Sequence, residues 1–152
     1  MKKYSILLSA IGFLVLTGCA PNSTPVVPTA TPVAPKANLV VQNAAIDFAA
    51  RTVSITVKNN GNENARAHLT YIEINRVGAA DAAKPQSQYS ANVSGIAAGS
   101  SWSSGSIPFS SFSSRSGLDL SSLTSANLVV RVDAKNMVEE SNEGDNIYNA
   151  NQ

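Results

Sequence analysis

Apolar and polar side chains alternate two by two through most of the chain after residue 36. Residues 51–58 show it most cleanly: Val53, Ile55 and Val57 fall on one face, Thr52, Ser54, Thr56 and Lys58 on the other. A period of two with β-branched residues predicts a half-buried strand. Residues 39–41 and 44–48 predict a first strand, kinked at Gln42 and Asn43. Residues 67–77 predict a third, with Leu69 and Tyr71 opposite Ile72 and Ile74, so a bulge or burial on both faces is expected. Residues 88–93 predict an edge strand and residues 102–109 a fifth. In residues 128–132, Leu128, Val130 and Val132 alternate with Val129 and Arg131. Ile147 and Tyr148 begin a short closing strand. No helix of useful length is predicted.

The breaks between these runs carry turn chemistry. Asn59-Asn60-Gly61-Asn62 is a strong turn signal, with Gly61 expected at positive φ and Ala65 expected to return to the sheet. In Asp133-Ala134-Lys135-Asn136 the Asp carboxylate can cap turn amides and Asn136 tolerates a left-handed backbone. Met137 and Val138 then return to an apolar environment. Residues 78–85 form a loop. Residues 110–125 are serine-rich but contain Leu118, Leu120 and Leu123, which favours docking on the core. Short strands separated by turns imply an all-β sandwich.

The N-terminus follows other rules. Met1-Lys2-Lys3 is basic, and residues 6–16 are eleven largely apolar positions. That is short of the roughly 20 residues of a membrane span and suits a signal-peptide core. It ends in Leu16-Thr17-Gly18-Cys19, which resembles a bacterial lipobox. The resemblance implies cleavage between Gly18 and Cys19 and acylation of the Cys19 thiol and new amino terminus. Cys19 is the single cysteine, which excludes an internal disulfide. Two or more acyl chains give stable anchoring where one is marginal. Ala20, rather than Asp, follows the cysteine; by resemblance to enteric sorting rules this favours the outer membrane. Residues 21–36 hold five of the seven prolines. They predict a polyproline-rich stalk, at about 3.1 Å per residue reaching on the order of 50 Å, or a spacer of no set length.

The expected organisation is therefore a lipoprotein signal peptide (1–18), a lipidated N-terminus and Pro/Thr-rich linker (19–36) and one globular domain (37–152). Without its signal peptide the chain carries nine bases and ten acids. No basic patch or aromatic stripe suggests nucleic-acid binding.

Residues 133–146 hold five acids and one base. Val130, Val132, Asp133, Asn136, Val138, Glu140, Asn142, Glu143 and Asn146 together resemble the C-terminal signature of the CARDB family, the cell-adhesion-related domain found in bacteria. Residues 57–65 resemble the end of that family's second strand, and residues 96–101 its corner before the fifth. The resemblance implies an immunoglobulin-like sandwich of about seven strands in a secreted or surface protein with a presumed role in adhesion. The serine-rich residues 110–125 depart from the family pattern.

Catalysis has little support. The one histidine, His68, lies inside a predicted strand, where an exposed or half-buried position is expected, and no nucleophile-elbow or phosphate-loop context exists. One histidine and one lipidated cysteine exclude the usual zinc sets. The acidic stretch is the candidate site. Asp133, Asn136, Glu140, Glu143 and Asp145 offer oxygens of the kind calcium takes, led by Asp133 and Glu140. Their order does not match an EF-hand loop, and shaping two turns is the competing role. The expected protein is a non-catalytic, lipid-anchored envelope module that binds a protein or glycan. The alternative is an assembly accessory that accepts a partner strand at a sheet edge near Tyr148.

Overall fold

The computed structural model describes residues 34–78 and 85–152. Among the described residues, nine strands form two antiparallel sheets. One contains β1 (Leu39–Asp47), β2 (Thr52–Asn59), β5 (Ser101–Ser103) and β6 (Ile107–Pro108), with β2 paired to the other three. The second runs β7–β4–β3–β8–β9: β7 (Ser113–Ser114), β4 (Ser87–Val93), β3 (His68–Asn75), β8 (Asn127–Arg131), β9 (Ile147–Asn151). The fold is the expected all-β, immunoglobulin-like sandwich. Two three-residue 3-10 turns, Phe109–Ser111 and Leu120–Ser122, are the helical elements among the described residues.

Alternation places the core. Val53, Ile55 and Val57 of β2 are fully buried and face Ile72 and Ile74 of β3 and Leu128 and Val130 of β8 across the sandwich. Each fully buried aliphatic side chain of this kind stabilises the fold by about 1.5–3 kcal/mol. β1 slips register between Val41 and Asn43, the bulge that Gln42 and Asn43 imply. β3 is buried on both faces, reaching Glu73 and Asn75, and keeps an unbroken register. The serine-rich insertion docks: Phe112, Leu118 and Leu120 are buried and Leu123 is partly so.

Three local expectations are corrected. The run 102–109 is two strands, not one, interrupted by Gly105 at φ 63°. Ser104 explains how the break is tolerated, since its N–H donates to the Ile55 carbonyl while its hydroxyl accepts from the Ile55 N–H at 3.0 Å. This split and the two-residue β7 account for nine strands where about seven are expected. Met137 stays about half exposed although Val138 is buried. Gly61 is absent from the positive-φ residues. Its requirement is steric: an added Cβ would lie 2.3 Å from the Lys36 carbonyl oxygen and 2.5 Å from the Ala37 carbonyl carbon. Those are main-chain atoms and cannot swing aside.

Gly61→Ala is therefore expected to destabilise the domain by about 2 kcal/mol, as overpacking does. Gly61→Asn should fare no better, although asparagine tolerates left-handed backbone. Urea unfolding measures both; an Asn variant near wild-type stability would return the requirement to backbone conformation.

Candidate functional site

The acidic segment is built around two buried carboxylates. Asp133 is 1% exposed and leaves β8 at φ 44°. Its Oδ1 accepts from the Met137 N–H at 2.9 Å and its Oδ2 from the Val138 N–H at 2.7 Å. The Asn136 N–H donates to the Asp133 carbonyl at 2.8 Å, and Asn136 takes the left-handed conformation at φ 49°. The turn is fastened to β3 by the Ala134 N–H donating to the Leu69 carbonyl.

Glu140 is 5% exposed. Its Oε2 accepts from the Leu39 N–H, and its Oε1 accepts from Asn146 Nδ2 at 2.9 Å. Glu143 completes the cluster, taking the Glu140 N–H at 3.1 Å and Asn146 Nδ2 at 3.3 Å. The adjacent Glu139 turns outward to pair with Lys36. Asp145 Oδ2 accepts from Asn38 Nδ2 at 3.2 Å, and the Ser141 N–H donates to the Ala37 carbonyl. Residues 36–39, where the chain joins the sandwich, are thus held from the C-terminal side. Asn59 holds them from the other. Fully buried, it accepts from the Asn38 and Gly61 N–H groups and donates to the Glu63 and Ile96 carbonyls.

The proposed calcium ligands do not converge on one point. Asp133, Asn136 and Glu143 line a cleft of about 270 Å³ with Asn146, but Arg131 shares its wall. Glu140 and Asp145 do not line it, although Glu140 shares the Asn146 amide with Glu143. Among the described residues, no group of three or more His, Cys, Asp or Glu is placed to hold a metal ion. Both oxygens of Asp133 and both of Glu140 accept N–H bonds. Buried oxygens without a partner are found on Asn38, Asp145 and Asn146.

His68 is 3% exposed, not the exposed or half-buried residue expected. Its Nδ1 donates to the Arg66 carbonyl at 3.1 Å and its Nε2 has no partner. Neither a hydroxyl nor a carboxylate bonds to it among the described residues. Gly18 and Cys19 lie outside the described residues. Two features escaped the sequence reading: the four-bond role of Asn59, and an ion pair at 3.3 Å between Glu73 on β3 and Arg131 on β8. The pair sits on adjacent strands whose register no local pattern supplies.

Val130 lies on β8 and the other eight signature residues in residues 132–146 that follow it, and a CARDB family profile matches residues 35–150. The chain belongs to the CARDB family. Two solved structures resemble it. The CARDB domain of a Pyrococcus furiosus protein, in complex with di-metal ions, is 13% identical with a TM-score of 0.47, covering 79% of this chain and 94% of that one. A domain of a Methanosarcina acetivorans protein assigned to the cell surface is 20% identical with a TM-score of 0.45, covering 78% and 90%. No curated protein matches the chain.

Burial pushes the Glu140 carboxyl up from 4.5 to about 7. Bonds from Leu39 and Asn146 oppose the rise, and repulsion from Glu143 and Asp133 adds to it. A rotated Asn146 amide would present its unpartnered Oδ1 to the proton of a neutral Glu140. Between pH 4.5 and 7 the folded state binds more protons at this site than the unfolded chain, so stability falls as pH rises through that window. Glu140 alone is expected to make the domain about 2 kcal/mol less stable at pH 8 than at pH 4.5. Glu140→Gln, whose oxygen still accepts from Leu39, should remove that component. Urea titrations across the window test it, and parallel profiles for the two proteins would refute the assignment.

Proposed function

We propose that this chain is a non-catalytic binding and adhesion module of the bacterial cell envelope, anchored by lipid on Cys19 in the outer membrane and raised on a Pro-rich stalk. The observation that carries the reading is that the buried carboxylates of the CARDB signature, Asp133 and Glu140, close on main-chain N–H groups. They build the scaffold, and no catalytic constellation forms at His68 or in the acidic segment among the described residues. Loops and sheet faces are left to meet a protein or glycan partner. The lipobox at residues 16–19 and the absence of any other cysteine support the anchor. Cys19→Ser is expected to abolish incorporation of labelled palmitate and to move the protein out of the membrane fraction. Labelling that persists in the variant would remove the anchor.

A second reading has its own observation. β9 ends its sheet, and its outward residues Ile147, Asn149 and Asn151 are exposed. None is proline or charged, the usual protections of an edge. A partner strand would add there. Crosslinking in intact cells separates the two: a periplasmic complex through β9 favours strand acceptance, whereas digestion by external protease favours adhesion at the surface.

The module works without a bound cation in this reading. Asp133 and Glu140 are already occupied by N–H donors. Thermal melts of the full chain in calcium and in chelator are expected to coincide. A calcium site at 100 times its Kd would instead add about 2.7 kcal/mol, a shift of roughly 10 °C.

A further inference from the structure

Residues 108–121, the β1–β2 turn and Ser87 line an open cleft of about 390 Å³. That is within the range of small-molecule sites, roughly 300–1,000 Å³. Phe109, Phe112, Leu118 and Leu120 give it apolar walls, each still 6–9% exposed. Phe112 is set by Tyr89, the ring centroids 5.6 Å apart. Polar groups interrupt this lining. Arg51 and Asp119 both line it, and Ser110, Ser114 and Ser121 add hydroxyls. Asp119 Oδ1 accepts from the Ser121 N–H at 2.9 Å and from its hydroxyl at 2.6 Å, leaving Oδ2 without a protein bond among the described residues. Ser87, fully buried on the inner wall, has a hydroxyl with no partner. A buried hydroxyl left unpaired costs about 1–3 kcal/mol.

This lining selects a chemistry. A purely apolar ligand would strip water from Arg51 and Asp119 and return nothing. A ligand of net charge would be attracted by one and repelled by the other. A neutral ring with one hydrocarbon face and several hydroxyls satisfies both halves: the face meets the phenylalanines and leucines, and the hydroxyls bond to Arg51, Asp119 and the serines. Position agrees. Leu39 pairs with Asn59 at one end of the β1–β2 ladder and Asp47 with Thr52 at the other. The chain joins the sandwich at the first end; Arg51 and the cavity lie at the second, roughly 25 Å away at about 3.3 Å per residue.

We propose that this cavity binds a single neutral hexopyranose ring of a glycan, a specialisation that rests on the binding-module reading. The full chain, isotope-labelled, is titrated with glucose, galactose and N-acetylglucosamine to about 100 mM, where weak monosaccharide binding is visible by NMR. Sorbitol, with hydroxyls but no ring face, is the control. At least one sugar is expected to shift amide signals of Arg51, Ser87, Phe112 and Leu120 while sorbitol does not. Arg51→Met is expected to weaken that sugar about tenfold. Ser87→Ala, which breaks no hydrogen bond in the free protein, should weaken it several-fold with the melting temperature unchanged or raised. It keeps the test decisive if the Arg51 variant does not fold. No shift at these residues with any of the three sugars, equal shifts with sorbitol, or undiminished affinity in both variants would overturn the proposal. If cells carrying the protein still adhere to a surface in that event, the binding-module reading stands and the sugar pocket alone falls.

Discussion

The fold depends on how its first strand is held. β1 is an edge of its sheet, bonded to β2 alone, and residues 36–38 run beyond the ladder with no sheet partner of their own apart from one parallel bridge at Ala37. The N–H groups of Asn38 and Leu39 must be satisfied by something, because buried N–H groups are costly to leave unpaired. Glu140 and Asn59 supply it from opposite sides, one to the Leu39 N–H and one to the Asn38 N–H. Side chains do what a neighbouring strand would do. Gly61 follows from the same constraint, since the segment they grip lies directly on it. Any pull on the N-terminal side of the chain enters the domain at this point, and it meets hydrogen bonds reaching 101 residues along the sequence before it meets the core.

Such a clamp carries a tension of its own. Glu140 is gripped by donors that favour its charge, while burial and two nearby carboxylates disfavour it. Desolvation wins, which is why the group titrates near neutrality. A buried polar group of this sort specifies position more than it adds stability, because removing one partner leaves the other unpaired.

The sandwich was legible because burial repeats every two residues: Val53, Ile55 and Val57 lie where their alternation puts them, and Gln42 and Asn43 mark the bulge. The leucines of the insertion announced docking for the same reason. What failed was set by distant contacts. Gly61 reads as a turn glycine because the chain lying on it comes from 25 residues upstream. Residues 102–109 read as one strand because nothing local shows that the Ser104 hydroxyl stands in for a main-chain acceptor. Composition is equally blind to what a carboxylate faces. Asp133 and Glu140 look alike whether their oxygens meet a cation or an amide, and here they meet amides.

The two ends of the molecule therefore divide the labour. At the end where the chain enters, Asp133, Glu140 and Asn59 are buried with their side chains bonded, while Asn38, Asp145 and Asn146 each keep one unpartnered oxygen. At the far end the lining comes from residues outside that signature, and hydrogen-bonding capacity is left over at Ser87 and Asp119. Unused capacity beside a cavity of ligand size is what a binding site leaves for its guest. The signature carboxylates thus account for how the N-terminal edge is held, and the cleft lined by Arg51, Asp119 and Ser87 is where specificity is to be sought.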